Sequence, residues 1–347
     1  MTSFIQAGDN TGLAFTISDR LGPFRESRPA TDPVLVLGFL EFGRGKIMGY
    51  EVEKLASENA LVGEGPMWDV ESQTLYWIDI QGGKFWNYDP ATGENKLLHE
   101  GYNTAGAGRN KQGGLTVATW EGVQLWNSDD DFVWLHQGEI DGHPIKLNDV
   151  MPDPNGSLFG GSGHLDSCTL FRFNADGSVD IIDDGLELCN GMGFSPDLRT
   201  FYSTDTPKFE IYKWDHNPGT GEISNKRVFA TIPSDWGVPD GMTVDAEGFV
   251  WSAMWYGGMV VRLDPDGKEE RRIEIPAAQT SSAMFGGKDL NELYVTTAAF
   301  GSGSDERTGM EPAGFDMSSY RGGDLFRVKL DIQGKPEFVT DFAWPAT

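Results

Sequence analysis

Cysteine is nearly absent from this chain: Cys168 and Cys189 are the only two in 347 residues. Two are too few for a disulfide framework in a chain of this size, and they are not spaced as a metal clip. No long apolar run occurs near the start either. The most apolar stretch there, residues 34–40, is bounded by Pro33 and Glu41 and is too short to cross a bilayer. No basic segment leading into an apolar core reads as a targeting signal. A soluble protein in a reducing, cytoplasmic setting is expected. Positive charge is scarce as well, with Lys+Arg 27 against Asp+Glu 53 and a net charge of −26. Such a surface repels phosphate backbones and anionic lipid heads, which argues against nucleic acid and membrane as partners. It attracts cations and tolerates neutral small molecules. Also missing is any long stretch with apolar residues three and four apart, so no amphipathic helix is expected.

What the chain does contain is turn and strand material: Gly 45, Phe 21 and Trp 11. The expected class is all-β. Residues 1–48 show no steady alternation and read as an N-terminal extension, partly ordered or packed on the outside. Alternation begins at Tyr50-Glu51-Val52-Glu53-Lys54-Leu55, an edge-type strand. From there a loose unit repeats: an apolar strand, a Gly turn, and a strand running into an Asp/Asn-rich hairpin. Anchored where each unit's first strand should begin, the repeats fall at Glu64, Ala105, Asn148, Asn190, Asp240 and Ala283. The intervals are 41, 43, 42, 50 and 43 residues. A period of roughly 40–50 residues with four short strands per unit describes a propeller blade. Residues 49–347 are therefore expected to form a six-bladed β-propeller, with Trp68, Trp77, Trp86, Trp126, Trp214 and Trp251 packing between blades.

In a propeller the first strand of every blade lines the central channel, so equivalent positions meet there. Glu64, Asn148, Asn190 and Asp240 should then converge on one cavity. Each of these residue types is common in turns, but four oxygen-bearing side chains at one repeat phase point to a divalent metal site. Oxygen donors favour a hard ion, Ca²⁺ foremost, with Mg²⁺, Mn²⁺ and Zn²⁺ as alternatives.

The segments Gly63-Glu64-Gly65-Pro66, Leu147-Asn148-Asp149, Asn190-Gly191-Met192, Pro239-Asp240-Gly241-Met242 and Ser281-Ser282-Ala283-Met284-Phe285-Gly286-Gly287 together resemble the senescence marker protein/gluconolactonase/regucalcin family. The resemblance runs from about Gly63 to Lys329. It implies one divalent metal ion held by Glu64, Asn190 and Asp240, with Asn148 beside it touching metal or substrate. It also implies Asp240 as general base, and hydrolysis of sugar lactones as the activity. One departure stands out. Many members carry Arg two residues before the third-blade Asn, and here that position is Lys146, a point charge in place of a planar fork. His164 and Asp166 occupy the stretch of blade three where the family places substrate-contacting residues. Asp205 lies at the matching place in blade four as a supporting partner.

Lactone opening suits such a site. The carbonyl is already electrophilic, a metal can polarise it and bind water, and a carboxylate can move the proton. Ser162, in Gly161-Ser162-Gly163-His164, has no nucleophile-elbow context. Trp255 and Tyr256, after the second strand of blade five, are candidates for an apolar wall over the substrate. The insert from Gly301 to Arg321 reads as a lid or a disordered loop. The alternatives are hydrolysis of another ester-like bond, such as an organophosphate, a non-catalytic calcium- or ligand-binding propeller, and a protein-binding scaffold.

Overall fold

The computed structural model describes residues 49–163 and 168–345. Residues 1–48, read above as an extension, lie outside this range, as do His164 and Asp166. Six four-stranded antiparallel sheets account for nearly all regular structure among the described residues, with two short 3₁₀ turns and no α-helix. Among the described residues no helix is long and apolar enough to cross a membrane.

The innermost strands are Gly63–Asp69, Thr104–Arg109, Leu147–Pro152, Cys189–Phe194, Val238–Val244 and Thr280–Gly286. Each contains one of the six anchors. Blades one to five are built from consecutive strands, and blade six differs. Its fourth strand is Val52–Ser57, from the opposite end of the propeller sequence, paired antiparallel with Asp324–Lys329. The edge-type strand at Tyr50–Leu55 thus closes the ring, satisfying backbone groups that would otherwise face water.

Inner strands crowd the axis, and this explains their small residues. A Cβ on Gly191 would fall 2.5 Å from the Asp240 carbonyl oxygen, and one on Gly241 would fall 2.1 Å from Ser282 Oγ. These glycines are required by close approach of neighbouring blades as well as by turn geometry. Farther out, large side chains fill the spaces between sheets. The six tryptophans expected between blades are all buried, and Trp77 stacks on Trp86 at 4.4 Å. One core cluster joins Trp251 and Val260 of blade five to Phe285, Leu293 and Phe326 of blade six.

Where an inner strand turns into the second strand, buried aspartates organise the hairpin. One oxygen of Asp245 accepts the backbone N–H groups of Glu247 and Phe249, and the other accepts Arg262 Nε at 2.8 Å. Asp153 and Arg172 repeat the pattern in blade three. The hairpins mark the floor of the channel, across which the C-terminal segment runs. Gly334 N–H donates to Leu290 of blade six, Gln333 accepts from Ala246 of blade five, and Phe338 packs on Phe194 of blade four. Asp341 then donates to Gly156 of blade three and Thr340 to Arg109 of blade two. The mouth of the channel is at the other end, where the inner strands begin.

Candidate functional site at the channel mouth

All six inner strands carry a register irregularity at their first few residues, between Glu64/Met67, Thr104/Gly106, Leu147/Asp149, Asn190/Met192, Pro239/Met242 and Thr280/Ser282. A bulge breaks strict in–out alternation and re-aims side chains. Here six bulges at one level turn polar groups from different blades toward the channel. Nothing in the alternation pattern of the sequence announces them.

Asn148 Nδ2 donates to Asn190 Oδ1 at 2.7 Å and to the Cys189 carbonyl at 3.1 Å. Asn190 Nδ2 donates to Thr206 Oγ1 at 2.8 Å, and the Thr206 hydroxyl donates to the Pro239 carbonyl at 2.7 Å. Thr206 therefore links the Asn190 side chain to the backbone just before Asp240. The Asn190 side chain also faces Asp240 and favours its charged form, against the effect of burial. Glu64 accepts from the backbone of Gly65 at 2.8 Å, and the Ser282 side chain slightly favours its charged form. Glu64, Asn190 and Asp240 are each 6 % exposed, with little access beyond the channel.

A third carboxylate joins them. Asp149, partly exposed, lines the central cavity and accepts the N–H of Val150 at 2.7 Å. Burial pushes Glu64 well above the usual carboxylate range, and the charges of Asp240 and Asp149 add to the effect. Asp240 is raised by burial and then by Asp149, while burial brings Asp149 up to about 7. Acidic groups that raise one another in this way, with no cationic partner among the described residues, favour protons or a cation. Among the described residues no three Asp, Glu, His or Cys side chains gather tightly enough to form a metal cluster. A cation would instead rest on two carboxylates completed by amide oxygen, a donor set that suits a hard ion.

Two aspartates brace the approach to these groups. Asp205, fully buried, accepts the N–H groups of Glu187 and Leu188 and lies 3.3 Å from Lys208 Nζ. It holds the backbone leading into Asn190 and makes no direct bond to that side chain. Asp79 does the same in blade one, accepting from Leu61 and Val62 just before Glu64. Sequence reasoning named Asp205 and missed Asp79, although both end the second strand of their blade.

Lys146 lies at the mouth, with its ammonium 4.2 Å from the centre of the Trp120 ring. Trp255 is partly exposed at the end of its strand, while Tyr256 is buried beside it. The Tyr256 hydroxyl pairs with Thr308 Oγ1 at 3.1 Å, and its ring meets Phe315 at 5.0 Å. The Gly301–Arg321 insert thus folds back onto blade five. Arg321, almost fully buried, ties it down through the carbonyls of Phe300 and Ser304. Beneath the carboxylates a narrow cavity of about 40 Å³ is lined by Met67, Met192, Met242, Met284 and Asp149, with Phe338 of the C-terminal segment at its floor.

Fold and site together define a six-bladed propeller with an acidic, amide-braced centre at its channel mouth. The chain belongs to the SMP-30/Gluconolactonase/LRE-like family, which matches residues 62–299. It is 37 % identical to pentonolactonase XacC of Haloferax volcanii over 292 residues, covering 84 % of this chain and 98 % of that protein. With regucalcin of Xenopus laevis it shares 32 % identity, covering 74 % and 89 % of the two chains. Among solved structures, a luciferin-regenerating enzyme superposes with a TM-score of 0.75 at 27 % identity, covering 84 % of this chain and all of the other.

Proposed function

We propose that this protein is a divalent-metal-dependent lactonase that opens sugar lactones or related small lactones. The observation that carries the reading is the meeting of Glu64 and Asp240 with the Asn148–Asn190 amide pair at the buried start of the inner strands. A relative named pentonolactonase, aligned over nearly its whole length, supports a sugar lactone as the substrate class. Glu64, Asn190 and Asp240 would hold the ion, with Asn148 beside it. When bound, the ion supplies Lewis-acid polarisation of the lactone carbonyl and lowers the pKa of water. Ca²⁺ is the first candidate: the donors are all oxygen, and a structural relative is described as a calcium-binding protein.

The chain's own groups perform the rest. Asp240 takes a proton from the attacking water and returns it to the ring oxygen as that oxygen leaves. Asn148 orients substrate beside Asn190, and the buried walls limit competing water. Lys146 and Trp255 at the rim meet the parts of the lactone that do not react. A pH-stat assay over sugar, alkyl and aromatic lactones, with cations restored after chelation, tests the reading. Cation-dependent acid release from a sugar lactone is expected. Turnover of a phosphotriester with no lactone turned over would replace the substrate class, and tight cation binding without turnover would remove the enzyme.

A further inference from the structure

We propose that Trp120 is a positioning residue for Lys146, and that the two form one recognition unit for hydroxyl groups on the substrate. This rests on the lactonase reading and adds a residue to it.

A repeated backbone bond fixes where both residues sit. At the mouth of five blades, the residue just before the inner strand's first pair accepts from the residue just after the second strand's last pair. The bonds run from Ile80 to Val62, Trp120 to Asn103, Gly163 to Lys146, Thr206 to Leu188 and Ala298 to Gln279, at 2.8–3.1 Å. Trp120 of blade two and Lys146 of blade three therefore lie on the same level of adjacent blades, just outside the bulges that carry the acidic centre. Both are partly exposed. The indole packs against the apolar cluster of Phe85, Val117 and Trp126, so its ring is anchored.

The chemistry of the pair follows from what holds the ammonium. Lys146 has no carboxylate or hydrogen-bond partner among the described residues; its contact is the Trp120 face at 4.2 Å. A carboxylate would neutralise the charge and occupy its N–H groups. An aromatic face restrains the charge through the ring quadrupole and leaves the donors free. A lysine is a flexible point charge, and the indole supplies the fixed direction that it lacks. Three donors without a partner among the described residues, two positions before Asn148 in the chain, suit the oxygens of a hydroxylated lactone and offer nothing to an unsubstituted ring.

The experiment compares kcat/KM for a polyhydroxylated five-carbon lactone and for δ-valerolactone in wild type, Trp120→Leu, Trp120→Phe, Lys146→Met and Trp120→Leu/Lys146→Met. Calorimetric Ca²⁺ binding serves as the check on the acidic centre. Trp120→Leu should lower the preference for the hydroxylated substrate about tenfold, mainly through KM, the scale of one partly desolvated cation–π contact. Trp120→Phe should restore most of it, and Trp120→Leu should add nothing once Lys146 is Met. Equal losses on both lactones, a changed Ca²⁺ affinity, or effects of Trp120→Leu and Lys146→Met that simply multiply would overturn the proposal. An active wild type with unaltered preference in Trp120→Leu removes Trp120 alone, whereas a wild type inert on every lactone removes the lactonase reading.

Discussion

Asn148 and Asn190, 42 residues apart in sequence and on adjacent blades, share a 2.7 Å hydrogen bond from Nδ2 to Oδ1. That bond commits the Asn148 amide to donating toward Asn190, and Asn190 in turn donates to Thr206. The candidate centre is therefore a chain of oriented amides with carboxylates on either side, and its behaviour can be tested link by link.

Cation binding should stabilise the fold. A ligand that binds only the native state raises stability by about 2.7 kcal/mol at a hundredfold excess over its Kd. Thermal melts in chelator and in millimolar Ca²⁺ should differ by several degrees, and Glu64→Gln should shrink the difference. Superimposable melts, with full lactonase activity in chelator, would count against a bound ion.

Asp240→Asn separates holding the ion from moving the proton. The amide keeps an oxygen, so some Ca²⁺ binding should survive in calorimetry. Turnover should fall about 10²–10⁴-fold, the usual contribution of a general acid–base group. Near-normal kcat would move the base elsewhere.

Proton linkage gives a third test. Glu64, Asp149 and Asp240 all titrate above the usual carboxylate range in the folded, cation-free protein. The folded state therefore keeps protons that the unfolded chain releases above about pH 4. Their stabilising effect is complete at low pH and is lost as pH rises toward 7 and beyond. In chelator, Tm should fall across that window more steeply than in Ca²⁺, and Asp149→Asn should flatten part of the slope. Identical slopes with and without the ion would sink this linkage.

Thr206 clamps two chain segments at once, so Thr206→Val should loosen both. It leaves Asn190 Nδ2 and the Pro239 carbonyl without their partner, at a cost of about 1–3 kcal/mol for buried groups. Ca²⁺ affinity should drop in calorimetry, and Thr206→Ser should recover it because the hydroxyl remains. Near-normal affinity in Val with a loss in Ser would assign Thr206 to packing alone.

Arg262, 3 % exposed at its side chain, lies 2.7 Å from Asp245. Removing one partner of a buried pair strands the other charge, so Arg262→Met should cost about 3–5 kcal/mol. Urea unfolding should show this while lactone selectivity stays as in wild type.

The repeat was legible because a propeller must place a polar or small residue where each inner strand nears the axis. Glu64, Asn148, Asn190 and Asp240 betrayed the phase through their spacing alone. The closing strand was visible as Tyr50–Leu55 and its partner as Asp324–Lys329, but their pairing was not, because strand alternation carries no address. Asp149 was overlooked beside Asn148, since strict alternation would point it away from the channel and the bulge between Leu147 and Asp149 overrides that rule. Thr206 and Trp120 carried no signal of their own. Each lies one residue past a second strand, at the level of the polar anchors, and only the repeat phase could have singled them out.

By itself the sequence determined the class of fold, the number of blades and four oxygen-bearing residues at one phase, because period and residue type are properties of the linear chain. The tertiary structure decided which way those side chains face, through six bulges that local pattern does not encode. It also brought Trp120 under Lys146, set Thr206 between Asn190 and Pro239, and laid the C-terminal segment across the channel floor. Those contacts join neighbouring blades or tie the chain end to them, and closing the ring fixes their geometry.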